Sequence, residues 1–401
     1  MSKYGDASIL LSRFDNRPKM VMQRGEGVYF YDTKGIRYLD LMSGWGCNCL
    51  GANPSVLKEA VETQLHLLTH TGPLVLSDKM FEFGHNLLQA TTLDRIFFTS
   101  TGAEANENAI KVARKYGSVK LDGAYEVITF SNGFHGRTLA MMSASARPGW
   151  DKKFMPKVPG FVHVPWNDLN AVEAAIKNHR IAAIFLELIQ GEGGVNVAEQ
   201  HFIAGLRELA ARHKILIMVD EVQTGMGRTG QLFAHNHFDF VPDVLTMAKS
   251  IGGGFPLGAI MTKEHCALFE NNEVGATYSG QAIMMAVGIA ILKEMLKPSF
   301  LPRVMAMGDL FKETLKDLAG EGLPITHIRG KGLMIAFDVK EDLAPVIAKQ
   351  AMSFDPKGIN LIINSVRPNS IRMLPPLIIQ PQHIAQFKET FRSVYQTVLA
   401  H

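Results

Sequence analysis

The sequence predicts an α/β fold: a mostly parallel central sheet covered by helices, with a smaller α/β unit assembled from the two chain ends. Two observations lead there. From about residue 55, short continuous apolar runs rich in β-branched and aromatic residues alternate with helical periods, the pattern of strands buried on both faces. After about residue 300 a second, shorter α/β set follows, while the chain opens on a hairpin. The expected division is an N-terminal segment of the small unit over 1–50, a large domain over 51–295 and a C-terminal small unit over 296–401.

In chain order, "GVYFYDTKGIRYLDLMSG" (27–44) reads as two strands around a D-T-K-G turn. The runs "RIFFTS", "YEVITFS", "AAIFLEL", "KILIMVDE" and "DVLTMAK" supply the strands of the central sheet. Between them lie amphipathic helices such as "AEANENAIKVARKYG" and "EQHFIAGLRELAARHK". The closing set is helical "PRVMAMGDLFKETLKDLAG", strand "GLMIAFDV", helical "APVIAKQAM", strand "INLIIN" and the final helix "PQHIAQFKETFRSVYQTVLA". There is no internal repeat and no low-complexity segment.

Composition narrows the function classes. With 401 residues, 47% of them hydrophobic, the chain is long enough for a sizeable core. A net charge of +3, without a basic block interleaved with aromatics, gives no nucleic-acid surface. No apolar stretch approaches the roughly 18 residues of a membrane span, and "MSKYGDASILLSRFDNRPKM" lacks the apolar core of a targeting signal. The 3 cysteines cannot form a disulfide framework, so a cytoplasmic location is expected. Cys47 and Cys49 in "GCNCLG" lack a second ligand pair at zinc spacing. His66 and His70 in "HLLTH" lack the glutamate of a zinc-protease helix. No metal is expected.

Ligands on open α/β sheets bind outside the carboxyl ends of the strands, and chemistry-bearing residues gather there. "IAAIFLE" ends on Glu187, "ILIMVD" on Asp220 and "DVLTMAK" on Lys249, followed by three glycines. A carboxylate and a lysine at one rim admit three readings. They are a surface ion pair, a dehydratase-type acid and base, or the contacts of pyridoxal phosphate. In the third, the lysine bonds the aldehyde and the aspartate pairs with the ring nitrogen. That reading needs an anion site, and Thr101-Gly102-Ala103, leading from a strand into a helix, provides one at the positive end of the helix dipole. "GMGRTG" (225–230) fits a dinucleotide fingerprint in letters only. It starts beyond the Asp220-Glu221 pair, and "QLFAHNHFDF" is a poor start for a packed helix. No P-loop sequence is present.

The motifs "STGAEANE" (100–107), "FHGRT" (134–138), "IQGEGG" (189–194), "DEVQTGMGRTG" (220–230) and "LTMAKSIGGGFPLGA" (245–259) occur in this order. By them the chain resembles the class III, fold-type I pyridoxal-phosphate aminotransferases, particularly the acetylornithine and ornithine aminotransferases. The resemblance implies that Lys249 is the covalent lysine and proton carrier, that Asp220 faces the ring nitrogen, and that Glu187 lies near the cofactor. It implies Gln223 at the ring hydroxyl, Phe134 stacked on the ring, and Gly102 and Ala103 as phosphate ligands. Thr277 in "GATYSG" resembles the residue that reaches the phosphate of a neighbouring subunit, which implies a homodimer with shared sites. Arg137, Arg372 and Glu192 are the implied substrate contacts. Forked guanidinium donors suit carboxylates, and the pair suits 2-oxoglutarate.

Departures from the resemblance concern the amino donor. Leu188 follows Glu187 where proline is usual, Ala276 stands where a hydroxyl is usual, "GANPS" (51–55) replaces G-H-x-H-P, and Trp45 occupies a substrate-lining place. The leading expectation is transfer of an ω-amino group from N-acetylornithine to 2-oxoglutarate. Ornithine, 4-aminobutyrate, diaminobutyrate or another ω-amine are alternative donors. An aminomutase or racemase is a different reaction class on the same fold, against which both arginines argue. A non-catalytic scaffold would be expected to have lost Lys249 or Asp220.

Overall fold

The computed structural model describes residues 20–340, 342–353 and 359–400. The targeting expectation concerned residues 1–20, of which all but Met20 lie outside the described residues. The central sheet has seven strands in the order Arg95–Thr99, Gly258–Thr262, Val244–Met247, Leu216–Asp220, Ile181–Leu186, Glu126–Phe130, Phe161–Val164. All neighbours are parallel except Gly258–Thr262, which runs antiparallel to both of its partners. Phe161–Val164 and Gly258–Thr262 go beyond the expected set. The second continues almost directly from the glycine-rich turn.

Strand side chains alternate between two cores, as the pleat requires. Ala183, Phe185, Leu216 and Met218 pack with Ala109, Ile110 and Ala113 of the helix Gly102–Lys120. Ile184, Leu186, Ile217 and Val219 face the other core with Phe202 and Leu206 of the helix Gln200–His213. Burial on both faces explains why Ile181–Leu186 is apolar at every position and Leu216–Asp220 at every position before Asp220.

The chain ends meet in one sheet. The strands Met22–Glu26, Tyr29–Asp32 and Arg37–Asp40 form a meander, and Asn360–Ile362 pairs in parallel with the last of them. Asp32 fixes the hairpin turn by accepting from the N–H groups of Lys34 and Ile36. A second, antiparallel sheet has the order Thr326–Lys331, Met334–Asp338, Ser370–Met373, Asn364–Arg367. The helices Phe300–Gly320 and Pro381–Leu399 cover this region, and Phe311, Phe387 and Phe391 stack between them.

Candidate active site

Parallel strands bring their carboxyl ends to a single rim. Asp220 closes Leu216–Asp220, Glu187 follows Ile181–Leu186 directly, and Lys249 stands two residues after Val244–Met247. Lys249 opens a short 3-10 turn with φ 53°. A lysine held in the left-handed region is strained, and such strain persists only where surrounding structure imposes it. From the edge strand Arg95–Thr99 the chain turns into the helix Gly102–Lys120. The Thr101 hydroxyl caps this helix by accepting from the Glu104 N–H, and the Glu104 carboxylate accepts from the Ser100 N–H. The N–H groups of Gly102 and Ala103 precede any helical carbonyl partner.

These residues line one cleft of about 420 Å³, together with Cys47, Asn106, Phe134, His135, Glu192 and Gln223. The Asp220 carboxylate is buried, with three fixed partners. Oδ1 accepts from the Val222 N–H at 2.9 Å, and Oδ2 accepts from the Asn106 amide at 2.8 Å and lies 2.8 Å from His135 Nδ1. Neighbouring Glu221 is satisfied elsewhere, by the N–H groups of Ala234 and His235 and by the His235 ring, so it braces the following loop. Glu187 accepts from the N–H groups of Phe134 and Gly191 at 3.0 and 3.1 Å, and burial pushes its carboxyl above the usual range. Burial is the main force lowering the Lys249 amine. Arg372 acts in the same direction, against Asp220, Cys47 and Glu187.

At the second sheet, Arg372 is 0% exposed. Its Nη2 donates to Glu192 Oε1 at 2.7 Å and to Asn364 Oδ1 at 3.2 Å, and Nη1 donates to Gln223 Oε1 at 3.4 Å. Gln223 donates in turn to the Trp45 carbonyl. Burial raises the Glu192 carboxyl, but Arg372, Arg147 and Lys249 outweigh it, and the group is held below its ordinary value. Glu192 is thus an anion set against a fully desolvated guanidinium, a charge that would be costly to leave alone.

The cleft brings together Lys249, Asp220, Glu187, Gly102, Ala103, Phe134, Gln223 and Glu192, with Arg372 behind Glu192. Arg137 is exposed beside it, its guanidinium 5.8 Å from the Trp150 ring. Thr277 and Ala276 do not line the cleft of their own chain, and the Trp45 side chain is 52% exposed. His135 and Asn106 escaped the sequence reading, although both stand inside motifs that it used. Asn106 sits one turn after Gly102, on the face turned to the cleft, where a polar residue at a buried position is the signal. Cys49 is packed, with its thiol donating to the Ser250 carbonyl, and both ring nitrogens of His70 are buried without a partner.

The donor set suits a phosphorylated pyridine aldehyde. A capped helix start faces the cleft as an anion site, a buried carboxylate is aimed by three donors, and a lysine is desolvated beside it. The buried Asn106 Oδ1, which has no partner, also lies in this lining residue. No group of three or more metal-ligating side chains occurs among the described residues.

Comparison with known proteins agrees with this chemistry. Residues 11–395 match the profile of the aminotransferase class-III family. The chain is 42% identical over 382 residues to acetylornithine aminotransferase 2 of Bordetella pertussis, covering 95% of this chain and 96% of that one. Among solved structures, the N-acetylornithine aminotransferase of Stenotrophomonas maltophilia superposes with a TM-score of 0.83 at 30% identity, covering 96% of this chain and 97% of that one. The ornithine aminotransferase of Toxoplasma gondii superposes with a TM-score of 0.90 at 28% identity, covering 97% and 93%.

Proposed function

The chain belongs to the class-III aminotransferases, and from that premise we propose that it moves the ω-amino group of N-acetylornithine, or an amine of similar shape, to 2-oxoglutarate, with pyridoxal 5'-phosphate held in the cleft. The observation that carries the reading is the convergence of Lys249, Asp220 and the Gly102 helix start on one cleft. The relatives named for acetylornithine support N-acetylornithine as first choice of donor. Ornithine is the second reading, from the structural likeness to an ornithine aminotransferase.

When bound, pyridoxal phosphate supplies an aldehyde for covalent attachment and a protonated ring that draws electrons from the amine-bearing carbon. The chain's own groups do the rest. Gly102 and Ala103 N–H groups would receive the phosphate. The Asp220 carboxylate, oriented by His135, Asn106 and the Val222 N–H, would keep the proton on the ring nitrogen. Of the residues lining the cleft, Phe134 would cover one ring face, Gln223 would meet the ring hydroxyl and Glu187 would stand close by. Lys249, whose amine is driven toward the neutral form chiefly by burial, would hold the cofactor covalently and would serve as the base that moves the proton at the substrate carbon.

Substrate recognition falls to Arg137 and Arg372. Glu192 neutralises Arg372 while an ω-amine reacts, then leaves it to the α-carboxylate of the keto acid. Trp45 and Ala276 shape the donor end. Thr277 completes the neighbouring subunit's phosphate site in a homodimer. Exposed Leu67, Leu74, Val75, Leu76, Phe81 and Tyr278 supply apolar surface suited to that contact. We also place the protein in the cytoplasm. We divide the chain into a large unit over 51–295 and a small one from 1–50 with 296–401, which the pairing of Asn360–Ile362 with Arg37–Asp40 supports.

The test is a half-reaction screen. Cofactor-loaded enzyme is mixed with single amines, and loss of its long-wavelength absorbance is followed, then its return on adding 2-oxoglutarate. N-acetylornithine should bleach it fastest; a faster reaction with ornithine or 4-aminobutyrate would change the donor, and bleaching without return would remove the acceptor.

A further inference from the structure

Glu192 has a second cation on its other oxygen. Oε1 faces Arg372, whereas Oε2 lies 3.4 Å from Arg147 Nη1. Arg147 belongs to the loop after the helix Leu139–Ala144, and its guanidinium lies 5.2 Å from the Trp150 ring and 5.9 Å from that of Phe134. The loop is anchored where Asn132 N–H donates to the Ala146 carbonyl, and the Trp150 N–H donates to the Arg147 carbonyl. The Arg147 side chain keeps 30% exposure, against 0% for Arg372. One guanidinium is therefore locked in the interior, and the other is held by ring faces at the mouth with room to turn.

We propose that Arg147 is the alternate seat of the Glu192 carboxylate: when an acceptor's α-carboxylate takes Arg372, Glu192 transfers wholly to Arg147. The proposal rests on the ω-amine and keto-acid reading given above. Its physical basis is a charge count. With an ω-amine present, two guanidinium groups share one carboxylate. When the keto acid enters, a second carboxylate arrives, and two ion pairs can form. Without Arg147, two carboxylates would compete for Arg372 alone, and like charges in a partly desolvated site repel strongly. Arg147 is thus a positioning residue for the acceptor half of the cycle. It acts through Glu192 and touches no reacting atom.

The experiment compares half-reactions of cofactor-loaded wild type, Arg147→Gln, Arg147→Lys, Glu192→Ala and the Glu192→Ala/Arg147→Gln double variant. Arg147→Gln should raise the half-saturating concentration of 2-oxoglutarate and of glutamate about tenfold or more, with the limiting rate and the ω-amine half-reaction within about threefold of wild type. Arg147→Lys should recover most of the loss, since an ammonium can also seat a carboxylate. In the Glu192→Ala background the glutamine substitution should have no further effect, because no displaced carboxylate remains. Binding of glutarate, a dicarboxylate that cannot react, measured calorimetrically on the same proteins, should follow the same pattern. An Arg147→Gln loss that persists without Glu192, or that falls on the ω-amine, would mean that Arg147 contacts substrate directly. A parallel loss in both halves with a lowered Tm would reduce it to a loop brace, and wild-type behaviour would dismiss it. If the wild type does not cycle between an ω-amine and 2-oxoglutarate, the functional reading fails. The glutarate series would still decide for or against the Arg147 seat.

Discussion

Asp220 owes the direction of its carboxylate to Asn106 and His135, residues that are distant from it in sequence. Asp220→Asn retains the shape but replaces the charged oxygen with an amide that cannot hold a ring proton. Turnover should fall at least about a hundredfold, roughly 2.7 kcal/mol of barrier, while the cofactor stays bound through its other contacts. Steady-state rates beside the cofactor absorbance would check this; a near-normal rate would assign the ring nitrogen to another acid. Glu192 makes a prediction of the opposite kind. Glu192→Ala leaves Arg372 uncovered, so α-amino donors such as glutamate should gain on ω-amines by about tenfold, equivalent to 1.4 kcal/mol between transition states. Stopped-flow rates for glutamate and the best ω-amine give the ratio, and an unchanged ratio would remove the gate.

At the scale of elements, one glycine joins three of them. A Cβ on Gly102 would meet Val222 Cγ1 at 2.8 Å and Ala248 Cβ at 3.2 Å, so the helix start lies directly on the turns that carry Asp220 and Lys249. Gly102→Ala should push these apart. The strain is about 1–3 kcal/mol, and cofactor retention should weaken by about tenfold or more. Dialysis against buffer with residual absorbance is the measurement; full retention would mean that Val222 yields to the methyl group. The end of the strand Arg37–Asp40 offers a pH test. Asp40 accepts from the N–H groups of Met42 and Ser43, both at 2.8 Å, yet burial raises its carboxyl to about 6, against the pull of these bonds and of Arg228. The folded state then holds the proton more tightly than the unfolded chain. The Asp40 contribution to stability is therefore greatest at acid pH and declines as pH rises from about 4 to about 6. Asp40→Asn removes that decline. Between pH 4.5 and 7.5 the variant should gain on wild type by about 1–3 kcal/mol in denaturant titrations. A pH-independent difference would show that the carboxyl titrates normally.

At the scale of the whole molecule, the proposed homodimer with shared sites makes its own prediction. Thr277 lies outside the cleft of its own chain, on a segment where the Tyr278 ring contacts His70 and is 63% exposed. If sites are shared, a mixture of Thr277→Ala and Lys249→Ala subunits forms mixed dimers in which one site carries both lesions and the other carries neither. Activity should rise above that of both parents as subunits exchange, toward about half the wild-type rate per mixed dimer. Exchange proven by mass labelling without any recovery would mean self-contained sites.

Local signals carried far in this chain because its candidate site sits where its regular structure stops. Apolar runs ending on Glu187, Asp220 and Lys249 pointed to a parallel sheet and its candidate site rim together, since strands buried on both faces carry their charged residues at their ends. The capped helix after Thr101 was legible for the same reason: its start is written in consecutive residues. What periodicity and capping do not encode is partnership across the fold. His135 and Asn106 reach Asp220 from other elements. Arg228 is buried without exposure and donates to the Leu333 and Pro375 carbonyls. Glu192 stands between Arg372 and Arg147, which lie on opposite sides of it in the chain. Such contacts depend on how sheets and loops pack, at separations over which sequence spacing carries no distance. The candidate reactive groups were legible in local sequence; their orientation and charge balance were decided by the tertiary structure, because a desolvated charge takes its properties from whatever neighbours packing brings within a few ångströms.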